Sequence, residues 1–324
     1  MIDKTTSGVA LGFAAFAIFS LSDASVKLIA GAIPPMQSAF VGAIFGCLLL
    51  PFLLAPGDRL RDVFSTVDCR LWLVRFLAYP AGVIGSVTAF THLSMAEAMV
   101  LMFLQPSFVT VMSILFLKER VGMQRWLAIA IGFVGVLIVL RPGFRELSIG
   151  HLGAIFAGFG GAVSIVVFRA LGTREKKVSL VGAGLMGAIV ICGALSIRGF
   201  VIPDGKQTLL LAGYGLLAAL ANVLTTRASV MAPATLVGAT QYGQMLWAII
   251  LDDVLFGVRP DMPMIVGMVF ILGSGVLTIM REHRLGRRWG APIGGERAAS
   301  AVLVHEASRN PGTSPPTRPR GKSR

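Results

Sequence analysis

Residues 95–107 read MAEAMVLMFLQPS and residues 231–242 read MAPATLVGATQY. The M-A-x-A opening recurs 136 positions on, and the same step carries Gln105 to Gln241. Each phrase sits in an apolar run, yet each holds a proline and polar side chains. An ionised side chain at a helix centre in lipid costs about 2.5–3.5 kcal/mol, so polar groups at that depth need a reason. A phrase written twice, polar residues included, points to an internal repeat.

Two more pairs support the repeat. Residues 8–28 (GVALGFAAFAIFSLSDASVKL) align with 150–170 (GHLGAIFAGFGGAVSIVVFRA) at an offset of 142, matching Gly8 to Gly150, Ser22 to Ser164 and Lys27 to Arg169. The glycine-rich runs GFVGVLIVL and ILGSGVLTI lie about 140 apart. Chance likeness between apolar segments would scatter these offsets, and they agree within six residues.

Composition fixes the class. Hydrophobic residues make up 55% of the 324 and charged residues 14%, with mean hydropathy +0.78. A soluble domain carries about 25% charged residues, so the chain reads as an all-α polytopic membrane protein. Apolar segments near 8–30, 34–55, 71–92, 97–117, 124–141, 149–168, 178–198, 207–226, 232–255 and 263–281 each approach the roughly 20 residues that span a bilayer. They predict ten transmembrane helices in two five-helix repeats, 8–141 and 149–281. An odd number of passes inverts the second repeat relative to the first, the plan of secondary transporters with a polar site near the midplane.

The formal charge of +13 does not imply nucleic acid, because ten of the 29 Lys and Arg fall in the last 44 residues. That tail, 282–324, is rich in Arg, Pro, Ser and Gly and reads as a disordered basic segment, with affinity for anionic lipid headgroups as the alternative. Of the remaining basic residues, twelve fall on the side of the N-terminus, five on the other, and Lys27 and Arg75 within helices. The positive-inside rule then makes both termini cytoplasmic in a multi-pass protein of the inner (plasma) membrane. Cys47, Cys69 and Cys192 form no CxxC and have no histidine at metal spacing, so neither a disulfide framework, a metal nor a cofactor is expected.

The phrases SDASVKLIAGAIPPMQ, VRFLAYPAG, THLSMAEAMVLMFLQPSFVTVMSILFLKERVG, IGFVGVLIVLRPG, FRALGTRE, ASVMAPATLVGATQYGQMLWA and VLFGVRPD, in this order and spacing, resemble the drug/metabolite transporter superfamily, specifically its ten-helix EamA-domain members. The resemblance runs from about residue 8 to 281 and implies transport of a small organic metabolite. Two departures stand out. Gly42 occupies the place of an arginine such proteins often carry on the second helix. Phe256-Gly257-Val258-Arg259-Pro260 replaces FGE-x-P, while Glu119 keeps the matching acid of the first half.

Polar residues inside the spans are the candidate site. Asp23 and Lys27, spaced i,i+4 with the acid first, suit an ion pair that either lines the path or neutralises itself between helices. Glu97 is expected near the outer interface, with Gln105 about 12 Å deeper at 1.5 Å per residue. Pro106 removes a donor and frees a carbonyl beside it, making a polar kink or a plain one bridged to a neighbour. Gln241 and Gln244 share a face flanked by Tyr242 and Trp247, offering amide groups and an aromatic wall to a solute or a packing cluster. Asn222 and Tyr79, followed by Pro80, complete the candidate cavity. Arg75 is expected to snorkel to the headgroups, Glu119 to cap a loop or couple protons. Asp252 and Asp253 are read as interfacial, with Asp253 as a substitute for the acid missing at Val258.

The absence of a G-x-x-x-x-G-K-[ST] loop excludes an ATP-driven engine of that type. His92, His151, His283 and His305 form no pair with an acid or cysteine at matching depth, which argues against an intramembrane enzyme or lipid-handling protein. The leading expectation is a secondary transporter working by alternating access, and the narrower one an importer of riboflavin or S-adenosylmethionine type. Expected partners are a small-molecule solute and membrane lipids, with a homodimer left open and nucleic acid excluded.

Overall fold

In the computed structural model, residues 4–54, 58–118, 122–141, 146–171, 174–232, 236–237 and 240–289 are described. They form helices and turns with no strand among them: α1 (Lys4–Leu28), α2 (Pro35–Cys47), α3 (Cys69–His92), α4 (Met95–Met102), α5 (Gln105–Leu117), α6 (Met123–Leu140), α7 (Ile149–Leu171), α8 (Lys177–Gly187), α9 (Gly193–Ser196), α10 (Gly205–Met231), α11 (Gly243–Phe256) and α12 (Met262–Trp289). A π turn at Ala188–Cys192 joins α8 to α9, so these make one pass, as do α4 and α5. The result is ten passes among the described residues.

Local chemistry sets the ends. Pro34 and Pro35 start α2, and Pro51 confines the chain beyond it to a short 3-10 turn, Leu50–Leu53, which shortens this helix relative to the expected 34–55. Asp68 caps α3, accepting from the backbone N–H groups of Arg70 and Leu71, and Ser94 caps α4 through the N–H of Glu97. Gly257, at φ 65°, closes α11 in the left-handed conformation that glycine adopts without strain. The last helix continues to Trp289, beyond the 281 expected; residues 290–324 lie outside the described residues, as does Glu119.

The helix pairings carry the repeat. The most extensive are α3 with α7 and α1 with α10. Exchanging the first five passes with the last five turns α1 into α7 and α3 into α10, so these are one contact made twice. The same exchange relates α2–α10 to α3–α8. Glycines bring the paired backbones together: a Cβ on Gly85 of α3 would lie 2.5 Å from the carbonyl oxygen of Gly153 on α7. Large side chains such as Leu77, Phe116, Leu209, Val254 and Val269 point outward, where lipid rather than water is their solvent.

The main apolar core joins α1, α4, α11 and α12. Every residue from Met95 to Leu101 is buried, so α4 is enclosed on all sides and its end at Met102 falls inside the molecule. The chain breaks there because Pro106 cannot donate to the carbonyl of Met102 and starts a new helix instead.

Candidate functional site

The two quoted phrases meet. Phe103 occupies the break between α4 and α5, and Tyr242 the turn before α11; their rings stack with centroids 5.1 Å apart and 18° between planes. The polar, helix-breaking phrase thus appears twice because each half contributes one interrupted helix.

Beside this junction lies a hollow with two lobes. One, of about 230 Å³, is bordered by α2, α3, α8 and α10; the other, of about 380 Å³, by α3, α5 and α7. Arg75, Tyr79, Val83, Phe168 and Tyr214 line both. Glycines make room for the rings: a Cβ on Gly184 would come within 2.8 Å of the Tyr79 ring, and one on Gly42 within 2.5 Å of Tyr214. Gly42, where the resemblance implies an arginine, therefore underlies a tyrosine. Gln105 enters the second lobe over Gly161, and Asn222 borders the first, exposed, with its amide donating to the Ala218 carbonyl.

Arg75 does not snorkel. It lies six residues into α3, about 9 Å along the axis, and is only 6% exposed. Its Nε donates to the Leu180 carbonyl, and its guanidinium lies 4.6 Å from the Phe168 ring centroid and 5.5 Å from that of Tyr79. Nη1 is shielded from solvent with no acceptor. The snorkel expectation fails because residues 174–176 and the start of α8 cover this end of α3; Glu175 accepts there from the Thr66 hydroxyl and the Val67 N–H.

The expected Asp23–Lys27 pair is not made. Asp23 accepts from the Gln244 amide at 3.0 Å. Lys27 reaches instead to Asp252 at 3.0 Å and to the Leu93 carbonyl, over the ring of Phe256. Asp252 is not interfacial; it is buried and also accepts the N–H groups of Met95 and Ala96 at the start of α4. A negative carboxylate suits that helix N-terminus as well as the ammonium. Asp253 is exposed and pairs with Arg259 at 2.9 Å. Glu97, also buried, lies 3.4 Å from His151 Nε2; the sequence expectation that no histidine pairs with an acid fails here, because the start of α7 packs against α4. Together these groups close the end of the molecule opposite the N-terminus, around a pocket lined by Lys27, Glu97 and Arg141.

The candidate residues thus divide. Tyr79, Gln105 and Asn222 border the hollow. Tyr242 and Gln244 pack at the α11 junction with Phe103 and Asp23, and Gln241 lies in the same turn; none of the three lines either lobe. Trp247 is 40% exposed and forms no inner wall, since its position on α11 turns it outward. Sequence reasoning missed Arg75, Phe168 and Tyr214 as hollow-lining groups and Asp252 as a tie. One signal was present: Arg75 and Tyr79 are spaced i,i+4 on one face.

Residues 6–141 match the EamA-like transporter family. The chain is 27% identical over 259 residues to the riboflavin transporter of Vibrio cholerae, covering 76% of this chain and 83% of that protein. It is 28% identical to the pseudopaline exporter of Pseudomonas aeruginosa, over 75% and 85% of the two chains, and 22% identical to the S-adenosylmethionine uptake transporter of Rickettsia felis, over 82% and 90%. A solved crystal structure superposes with a TM-score of 0.59 at 18% identity, over 87% of this chain and 99% of the other, a likeness of fold.

Proposed function

We propose that the chain, whose residues 6–141 match the EamA-like transporter family, is a transporter of that kind and that the two-lobed hollow is its solute path. Rocking of the two five-helix halves then exposes it to one membrane face at a time. The observation that carries this is the hollow itself: a largely apolar space holding a few polar side chains, between helices of both halves and beside the point where their interrupted helices stack. The chain is a secondary transporter of a small organic solute. The lining residues Tyr79, Gln105, Asn222 and Tyr214 supply hydrogen bonds, and Lys27 with Asp252 closes the far side.

We place both termini in the cytoplasm and the protein in the cell membrane, supported by the twelve-to-five distribution of Lys and Arg. On that orientation the hollow belongs to the cytoplasmic half and the Lys27–Asp252 tie to the outer one. Purified protein in liposomes tests the reading: a labelled metabolite accumulates by counterflow, and filling the hollow with Ala218→Leu abolishes it. Failure of a broad panel of metabolites, amino acids and vitamins to move under any imposed gradient would sink the proposal. A narrower reading, import of a riboflavin-type vitamin, is favoured by similarity to the Vibrio cholerae protein. Growth rescue of a riboflavin auxotroph supports it, and no rescue with the protein present in the membrane counts against it.

A further inference from the structure

We infer that the hollow selects an organic anion, a planar ring carrying a carboxylate, and that Arg75 is the group that holds the carboxylate. The inference rests on the hollow being the solute path and adds the charge of what enters it.

The lining is asymmetric in charge. Neither lobe is bordered by an aspartate or glutamate, and Arg75 is the one charged side chain that borders either of them among the described residues. The other cation deep in the same repeat, Lys27, has its counter-ion in Asp252. Arg75 has no carboxylate within ion-pair distance among the described residues, yet it is nine-tenths buried. A buried charge is ordinarily paired, so the missing anion is the feature to explain.

The geometry fixes how an anion arrives. The Leu180 carbonyl engages Nε, and the rings of Phe168 and Tyr79 hold the guanidinium in place by cation–π contact. This leaves Nη1 without an acceptor among the described residues. An arginine constrained in this way binds a carboxylate through two parallel hydrogen bonds, a geometry a lysine cannot reproduce. Tyr79 and Tyr214 border both lobes, so a ring attached to that carboxylate meets aromatic faces and hydroxyls in either lobe.

The test compares two probes with one ring and opposite charge, 4-hydroxyphenylacetate and tyramine. Binding to the full-length purified protein is measured in micelles by calorimetry, with benzoate and indole-3-acetate extending the carboxylate set. Carboxylates are expected to bind while tyramine does not. Arg75→Gln is expected to weaken the carboxylates at least ten-fold, with Arg75→Lys intermediate. Equal binding of tyramine, unchanged affinity in Arg75→Gln, or no binding by any carboxylate overturns the inference. Should Arg75→Gln fail to fold, Ala218→Leu, which fills the first lobe and leaves Arg75 in place, decides: lost carboxylate binding supports the assignment and retained binding overturns it. Carboxylate binding without flux in liposomes would count against transport and leave the anion site standing, while flux of cationic solutes alone would do the reverse.

Discussion

Asp252 ties three helices together at the end of the molecule opposite the N-terminus. It joins the Lys27 ammonium on α1 to two N–H groups of α4 from its own place on α11. Removing one partner of a buried pair leaves an uncompensated charge, at a cost of about 3–5 kcal/mol, whereas removing both is far milder. Asp252→Asn and Lys27→Met should therefore each lower stability by about that range, and the double variant by clearly less than the sum. Unfolding of the four proteins in mixed micelles checks this; additive losses would show that the two side chains do not act as a pair. The tie was illegible in the sequence because Lys27 has two acids within reach of argument. Asp23 is near along the chain and Asp252 is 225 residues away, and only packing decides between them. Arg75 was misjudged for a related reason: its depth was legible, but not the loop and helix start that cover it.

At the scale of elements, much was legible. Apolar length and Lys/Arg placement marked ten passes, and the recurring M-A-x-A phrase located both interrupted helices. Pro106 supplies the physical reason for one break, since a proline frees the carbonyl four residues earlier. Which faces of those helices point inward was not legible. An all-round apolar helix gives no stripe to read, and of the two candidates Gln105 borders the hollow while Trp247 faces outward. Glycines were legible as packing residues without their partners. Gly85 now has one: the Gly153 carbonyl on α7, 2.5 Å from where a Cβ would sit. Backbone cannot rotate aside as a side chain can, so Gly85→Ala should force α3 and α7 apart and cost about 1–3 kcal/mol. Gly199→Ala, with nothing within 4 Å, is the matched control. A thermal shift in Gly85→Ala no larger than in Gly199→Ala would mean that the seam yields freely.

Across the whole molecule, each face has its own set of ties between the halves, and the chemistry of the two sets differs. At the N-terminal face, Lys176 contacts Asp58 and Asp62 in solvent-exposed loops. The Lys176 hydrogen bond, aided by the Arg59 N–H, holds the Asp62 carboxyl below its ordinary value of 3.8. A lowered acid stabilises the contact above that value and loses its effect as pH falls through its folded-state value. Hydrogen exchange of residues 60–64 should then be slow at neutral pH and speed up below about pH 4 beyond the intrinsic trend. Added salt should weaken the same contact. At the opposite face, Gln37 at the start of α2 binds the backbone of Val201 in both directions, Nε2 donating to its carbonyl at 2.6 Å and Oε1 accepting its N–H at 2.9 Å. Gln37 is buried and the tie is uncharged, so pH and salt should leave it intact. If transport requires the halves to separate here, joining Gln37→Cys to Val201→Cys with a short bis-methanethiosulfonate, which forms a disulfide to each cysteine with loss of methanesulfinate, should stop counterflow. Reduction should restore it. Throughout, a cysteine at Ala218 should stay reactive from the N-terminal face, because the joined state keeps the far end closed without filling the hollow. Undiminished counterflow in the joined protein would mean that the solute passes without parting the halves at this point, and the rocking model would fail.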